Sequence, residues 1–115
     1  MSSSLVAIKA VGDVTVAKIT ATRLVDDMMI HEAFNAILEY IHDGSERMVI
    51  DFDPVQFLSS SALGQLISLS KAMKKNEGSL VICGVNNTIW KAFKMTGLNK
   101  KFPRYSTEAH AIANL

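Results

Sequence analysis

The chain has 115 residues, of which 49% are apolar, and it balances 12 basic against 11 acidic side chains. This length suits one domain whose core needs no disulfide or metal, and the near-neutral charge gives no global case for nucleic-acid binding. No apolar run reaches the ~18 residues of a membrane span, so we expect a soluble, cytoplasmic protein without membrane insertion. The lone cysteine, Cys83, lies in an apolar run, which predicts a buried thiol in a reducing compartment.

The first third of the chain predicts a hairpin and a helix after a flexible N-terminus at residues 1–4. Residues 5–10 and 14–20 are rich in β-branched side chains and flank a Val-Gly-Asp turn, which is typical of a hairpin. Asp26 or Asp27 then opens a helix with an apolar face that repeats over three turns. That face consists of Ile30, Phe34, Ile37, Leu38 and Ile41.

The middle of the chain predicts a buried strand, a second amphipathic helix and another strand. The strands are expected at residues 48–52 and 80–84, and the helix at residues 61–75. Ser60 or Ser61 is the expected N-cap of this helix. Its predicted inner face consists of Leu63, Leu66, Ile67, Ser70 and Met73.

The last third predicts two more helices and a short strand. An Asn-Asn-Thr run caps a helix that Gly97 ends, residues 102–105 form a strand, and a final helix starts at Thr107. The order β-β-α-β-α-β-α-β-α predicts parallel neighbours joined by crossovers. We therefore expect a single α/β domain over residues 5–115, with a mixed sheet of four to five strands and helices mainly on one face.

Three consecutive serines stand where the second helix begins, directly after the loop that follows the buried strand. One serine at a helix start is explained by capping, because its hydroxyl accepts a hydrogen bond from an otherwise unpaired backbone N–H. Capping does not require three serines. The pattern therefore places hydroxyl groups on the surface, where another molecule can reach them.

The segment FLSSSALGQLISLSKAMKKNEGSLVICGVNNTIWKAFKMTGLNKKF, preceded by IDF, resembles the STAS family, which includes the bacterial anti-sigma factor antagonists. The resemblance covers nearly the whole chain. In that family an Asp-Ser-Ser-Gly motif starts the helix, and a partner anti-sigma factor that is itself a kinase phosphorylates the second serine. The matching positions here are Ser59, Ser60, Ser61 and Ala62.

The resemblance implies a regulator that binds an anti-sigma factor with serine kinase activity and is opposed by a phosphatase. Ser61 is the expected phosphorylation site, with Ser60 as the alternative. A phosphate at a helix N-terminus is tolerated by the fold but is costly once a partner buries it. The expected partner-binding surface consists of Asp53, Phe57, Leu58, Ser59, Ser60, Ser61 and Ala62. The protein is expected to be a monomer or weak dimer.

Two departures from the family motif leave a second function open. Ser59 stands in place of the aspartate of the motif, and Ala62 stands in place of its glycine. Members with imperfect motifs serve as docking modules without phosphorylation, among them subunits of lipid-transport complexes. The alternative is therefore a constitutive docking subunit of a transporter complex.

An enzyme is a third interpretation of the same residues. Ser61 with a histidine and Asp51 or Asp53 has the composition of a hydrolase triad. The local sequence, however, lacks the glycine that precedes the serine in G-x-S-x-G, and no oxyanion loop is evident. We therefore expect no catalytic residues and no enzymatic activity.

Neither a metal nor a cofactor is expected. His31, His42 and His110 do not have the spacing of a metal site, and half-buried or solvated histidines explain them. Asp51-x-Asp53 could hold magnesium, although capping of a loop is the commoner role of such a pair.

The C-terminal third is basic and contains two aromatic residues on one helix. Trp90 and Phe93 have the spacing of core residues, although they could form a docking pair. A solvated helix face explains the charges better than nucleic acid or an anionic membrane does. The basic residues are Lys91, Lys94, Lys100, Lys101 and Arg104.

Overall fold

A computed structural model describes residues 5–115, and the flexible N-terminus expected at residues 1–4 lies outside that range. It contains seven strands and four α-helices. The strands are β1 (Val6–Val11), β2 (Val14–Ile19), β3 (Arg23–Leu24), β4 (Arg47–Asp51), β5 (Phe57–Leu58), β6 (Ser79–Cys83) and β7 (Arg104–Tyr105). The helices are α1 (Asp27–His42), α2 (Ser60–Lys75), α3 (Asn87–Thr96) and α4 (Glu108–Ala113), with a 3₁₀ turn at Leu98–Lys100.

Five of the strands form one mixed sheet in the order β1-β2-β4-β6-β7. The hairpin β1–β2 is antiparallel, and the other three pairs are parallel, with Ile50 opposite Ile82 between the two central strands. The mixed sheet is confirmed, and its five strands alternate with the four helices in the predicted order. The fold also agrees with the prediction of helices mainly on one face.

Alternate residues of the central strands feed two separate cores on the two faces of the sheet. Ile50 and Ile82 lie in the larger core, which α1, α2 and α3 cover. Val49 and Val81 lie in the smaller core with Ala111 of α4. The C-terminal helix thus covers the second face, a placement that the strand and helix order did not predict.

The predicted helix ends agree with the structure at α1 and α3. Asp26 caps α1, because its Oδ1 accepts hydrogen bonds from the backbone N–H groups of Met28 and Met29 at 2.9 and 3.1 Å. Gly97 ends α3 with a φ of 78°, a left-handed conformation that glycine adopts without a steric penalty. The inner face of α2 differs from the prediction, since Leu69 is buried while Ile67 and Ser70 are only half-buried.

A two-stranded parallel ribbon, β3–β5, was not predicted from the sequence. Arg23 pairs with Phe57, and Leu24 pairs with Leu58. Each strand has only two residues, which is too short for a periodic pattern to show in the sequence. The ribbon matters because it leads directly into α2 and holds the loop before the three serines.

Candidate functional site at the start of α2

Ser59 is the N-cap of α2, so the prediction that Ser60 or Ser61 caps the helix is wrong by one residue. The Ser59 hydroxyl accepts a hydrogen bond from the backbone N–H of Ala62 at 3.3 Å. The shift follows from the ribbon, because the backbone N–H of Ser59 donates to the Leu24 carbonyl oxygen at 3.1 Å and keeps Ser59 extended. Capping thus occupies one hydroxyl and leaves two for other uses.

Ser60 and Ser61 are both exposed in the first turn of α2. Ser61 lines a surface depression of about 310 Å³ together with Asp27 and His31 at the start of α1. The first turn of α2 has no acidic side chain, whereas the first turns of α1 and α4 contain Asp27 and Glu108. The first turn of α2 therefore supplies no negative side chain to the positive end of its own dipole, and the acid beside Ser61 is Asp27 of α1.

The loop before α2 is held by hydrogen bonds from the Thr22 backbone and the Asn86 side chain. The Thr22 carbonyl oxygen accepts a hydrogen bond from the Gln56 N–H at 2.7 Å. The Asn86 amide donates to the carbonyl oxygens of Val55 and Gln56 at 3.3 and 3.4 Å. These contacts fix the direction in which the chain enters α2, so the serines are presented on a defined surface.

An apolar surface lies beside the serines on the β3–β5 ribbon. Phe57 is 48% exposed and Val25 is 44% exposed. The Arg23 guanidinium lies 4.6 Å from the centroid of the Phe57 ring, close enough for a cation–π contact. The ribbon thus turns the Phe57 side chain outward, onto the surface beside the serines.

The other expected partner-binding residues differ in their accessibility. Asp53 is exposed, and Leu58 and Ser59 are half-buried. Ala62 is fully buried, so its side chain cannot contact a partner, and its place in the expected surface is corrected. Leu58 lines a depression of about 260 Å³ with Arg23 and Val25.

Asp51 belongs to a different surface, at the carboxyl end of β4. It is 5% exposed, and its Oδ1 accepts a hydrogen bond from the Asp53 N–H at 2.8 Å, which is the loop-capping role. Gly84, with a φ of 71°, lies so close that a Cβ there would meet Asp51 Oδ1 at 2.7 Å. The absence of a side chain at Gly84 thus allows the Asp51–Asp53 loop to pack on β6.

Asp51 and Glu108 share a hydrogen bond that perturbs both carboxyl groups. Burial, followed by the contact with Glu108, raises the pKa of Asp51. The hydrogen bond from Asp51 and the ion pair with Lys9 at 2.9 Å lower the pKa of Glu108. This hydrogen bond joins α4 to the carboxyl end of β4. Within residues 5–115, no group of three or more His, Cys, Asp or Glu side chains could hold a metal ion.

Cys83 is fully buried in the smaller core, as predicted. Burial and then the nearby Asp51 raise the pKa of the Cys83 thiol to about 12. The thiol is therefore protonated at neutral pH, and such a thiol is a poor nucleophile. Its role is packing.

The structure does not assemble the hydrolase triad of Ser61, a histidine and Asp51. Ser61 lies beside His31 and Asp27, while Asp51 is paired with Glu108 elsewhere. Among the described residues, no hydrogen bond joins the side chains of Ser61, His31 and Asp27. The other two histidines, His42 and His110, are exposed on α1 and α4.

The aromatic residues of α3 pack as core, as their spacing predicted. Phe93 is fully buried, and the half-buried Trp90 stacks on it with ring centroids 5.6 Å apart. The Arg104 guanidinium lies 5.0 Å from the Trp90 ring centroid. The four basic neighbours Lys91, Lys94, Lys100 and Lys101 are exposed.

Sequence reasoning missed the residues that other elements bring to the serines. Arg23 comes from the ribbon, Val25 directly follows β3, and Asp27 and His31 come from the start of α1. No local signal could have found Arg23 or Val25, because a two-residue strand has no measurable period. Asp27 was available as a helix-start residue, but its proximity to Ser61 depends on how α1 packs on α2.

The fold and the site together define a small α/β domain that presents two free hydroxyl groups at a helix start beside an exposed apolar ribbon. A family model described as the STAS domain matches residues 6–111. The chain therefore belongs to the STAS domain family, as its resemblance predicted.

Two kinds of relative were found. The chain is 31% identical over 70 residues to an anti-sigma F factor antagonist of Paenibacillus polymyxa, a match that covers 61% of this chain and 60% of that protein. It superposes with a TM-score of 0.85 on a putative anti-sigma factor antagonist of Thermotoga maritima, which is 16% identical and matched over 96% of this chain and 94% of that chain. The phosphorylated form of SpoIIAA from Bacillus gives a TM-score of 0.75 at 20% identity, over 95% and 97% of the two chains. At these identities the two structures bear on the fold alone.

Over residues 5–115, none of the helices combines the length and the apolar character needed to cross a membrane.

Proposed function

We propose that this protein is a partner-switching regulator that binds an anti-sigma factor with serine kinase activity. The partner rests on the serine end of α2, meaning Ser59, Ser60 and Ser61 together with the β3–β5 ribbon, and phosphorylation of Ser61 releases it. The protein is a non-enzymatic cytoplasmic module that needs no metal or cofactor, acts as a monomer or weak dimer, and is reset by a phosphatase.

The observation that carries the proposal is the exposure of Ser60 and Ser61 at a helix start whose cap is already supplied by Ser59. Their hydroxyl groups have no structural task among the described residues. A kinase can reach them without unfolding the helix. The naming of the Paenibacillus polymyxa relative as an anti-sigma F factor antagonist supports the kind of partner.

Electrostatics explains why a phosphate would act on binding rather than on the fold. A phosphate adds about −1.5 to −2 charges, and a helix N-terminus favours negative charge by ~0.3–1 kcal/mol. The first turn of α2 contains no acid that would repel it, although Asp27 of α1 shares the depression with Ser61. Against a docked partner, the same charge loses its water, and an unmatched buried charge costs several kcal/mol.

Ser61 is favoured over Ser60 by its surroundings as well as by the second-serine position of the motif. Ser61 faces the depression that it shares with Asp27 and His31. A partner side chain that enters this depression would contact Ser61 directly. A phosphate there would occupy the same space.

The test uses the full chain as bait to recover a partner, followed by binding and kinase measurements. We expect Ser61→Asp to weaken binding at least about tenfold, because the carboxylate is desolvated in the complex. Ser60→Asp is the matched control and should weaken binding less. Incubation with the partner and ATP should add one phosphate, seen by intact mass, to wild type but not to Ser61→Ala.

Three results would contradict the proposal in different ways. If Ser60→Asp weakens binding more than Ser61→Asp, the acceptor is misassigned. If both variants bind like wild type, the surface is wrong. If binding depends on the serine end but no phosphate is transferred, the constitutive docking subunit is the better function.

A further inference from the structure

The near-neutral net charge hides a strong separation of charge along the chain. Residues 71–104 contain eight of the twelve basic side chains and only one acid, Glu77. The remaining residues therefore carry ten acids and four bases. A separation of this size creates a positive surface that the net charge does not reveal.

The structure brings three of these lysines around one recess at the far end of α2. Lys71 and Lys74 project from the last turns of α2, and Lys101 comes from the segment after the 3₁₀ turn. The recess measures about 500 Å³, and Met73 and Leu80 contribute its apolar lining. We call this site, lined also by Ser70 and Gly78, the lysine recess.

None of the three ammonium groups is neutralised by the described part of the chain. Within residues 5–115, the ion pairs join Lys9 to Glu108 and Arg47 to Asp13, both elsewhere. The carboxyl end of α2 stabilises Lys74 in its last turn. That effect does not account for Lys101, which belongs to another segment and converges on the same recess.

We propose that the lysine recess binds an acidic protein segment that also carries an apolar side chain. Carboxylates of the segment would pair with Lys71, Lys74 and Lys101, and its apolar side chain would pack on the half-buried Leu80. Both halves of this match follow from the lining of the recess. Charge complementarity of this kind fixes the register of a partner and speeds its association.

The shape of the site favours a protein segment over the two other common anions. A bilayer surface cannot enter a recess, and its flat headgroup layer would leave Leu80 uncovered. Nucleic acid binding to single strands uses exposed aromatic faces for stacking. Trp90, on the basic C-terminal third, is stacked on Phe93, and the Arg104 guanidinium lies over its ring.

The lysine recess is separate from the serine end and can be occupied at the same time. Lys74 follows Ser61 by thirteen helical steps along α2, which at 1.5 Å each amounts to about 20 Å. A segment bound in the recess would not cover the serines. The inference therefore stands independently of the proposed phosphorylation switch.

The test measures fluorescence anisotropy of a labelled peptide made of glutamate and leucine residues, with a glutamine-for-glutamate peptide as the control probe. We expect Lys71→Gln/Lys74→Gln/Lys101→Gln to weaken binding about tenfold, since each exposed pair contributes modestly. The matched control, Lys91→Gln/Lys94→Gln/Lys100→Gln, removes the same charge outside the recess and should have a smaller effect. Amide shifts in ¹⁵N spectra should centre on residues 70–80 and Lys101.

Several outcomes would overturn the proposal. Equal weakening by the two triple variants would mean that only overall charge matters. Tight binding of the glutamine peptide would remove the role of the lysines. Tighter binding to phosphatidylserine vesicles or to heparin than to the acidic peptide, or salt-sensitive self-association that the recess variant abolishes, would assign the surface to a membrane, to nucleic acid or to a second copy of the chain.

Discussion

The two ends of α2 present opposite chemistry on one continuous helix. The serine end offers uncharged hydroxyl groups beside the exposed Phe57, while the lysine recess offers ammonium groups around an apolar floor. Between them, Leu66 and Leu69 are buried against the sheet and α1. The core thus determines the middle of the helix and leaves the side chains at both ends accessible.

The largest effect is expected from a change in the shared middle, which should affect both ends together. Leu66→Ala removes buried methyl groups and leaves a cavity, so the free energy of unfolding should fall by about 2–5 kcal/mol. Urea unfolding followed by circular dichroism measures it. Ser68→Ala, on the exposed face of the same helix, should stay within about 0.5 kcal/mol. Equal losses in the two variants would show that α2 is not anchored through Leu66.

A substitution in the exposed ribbon should weaken partner binding at the serine end and leave the lysine recess unchanged. Phe57→Ala removes an aromatic contact at the proposed interface and should weaken partner binding by about 1–2 kcal/mol, with little loss of stability. Calorimetric titration of the recovered partner measures this. Tyr40→Ala is the matched control, because Tyr40 is similarly exposed near the opposite end of α1. A stronger effect of Tyr40→Ala would move the interface away from the ribbon.

The three serines can be told apart by stability alone. Ser59→Ala should cost ~1 kcal/mol of unfolding free energy, because it removes the acceptor for the Ala62 N–H. Ser60→Ala and Ser61→Ala should each change stability by less than about 0.5 kcal/mol, since their hydroxyl groups cap nothing. Thermal unfolding of the three variants side by side gives the comparison. A cost at Ser61 as large as that at Ser59 would mean that its hydroxyl is structural.

The smallest effect concerns the pH dependence of stability, which tests the Asp51–Glu108 pair at the carboxyl end of β4. The raised pKa of Asp51 means that its contribution to stability is present at low pH and is lost as the pH rises through the folded pKa. The lowered pKa of Glu108 acts in the opposite direction, since its contribution is present above the unfolded pKa and is lost on acidification.

Asp51→Asn keeps the acceptor for the Asp53 N–H and removes the buried charge. Its unfolding free energy relative to wild type should therefore increase from pH 4 to pH 7. Urea unfolding at the two pH values measures the difference. The matched control Asp53→Asn, at an exposed position, should show no such increase. A relative stability of Asp51→Asn that falls with rising pH would contradict the assignment of the proton to Asp51.

The hairpin, the four helices and the parallel strands could be predicted because each carries its own local pattern. β-Branched runs around Val11-Gly12-Asp13 gave the hairpin, Asp26 gave the start of α1, and Gly97 gave the end of α3. The predicted N-cap of α2 was wrong by one residue because three serines are equivalent in sequence. Only the hydrogen bond between Ser59 and Leu24 in the ribbon distinguishes them.

By itself the sequence determined the order of elements, the STAS-type fold and the exposure of hydroxyl groups near the start of α2, since these depend on periodicity and on neighbours along the chain. Tertiary structure alone decided that Phe57 faces outward, that Ala62 is inaccessible, that Asp27 and His31 join Ser61, and that Lys101 meets Lys71 and Lys74. Each of these features arises because segments distant in sequence pack together, and such contacts leave no pattern in the local sequence.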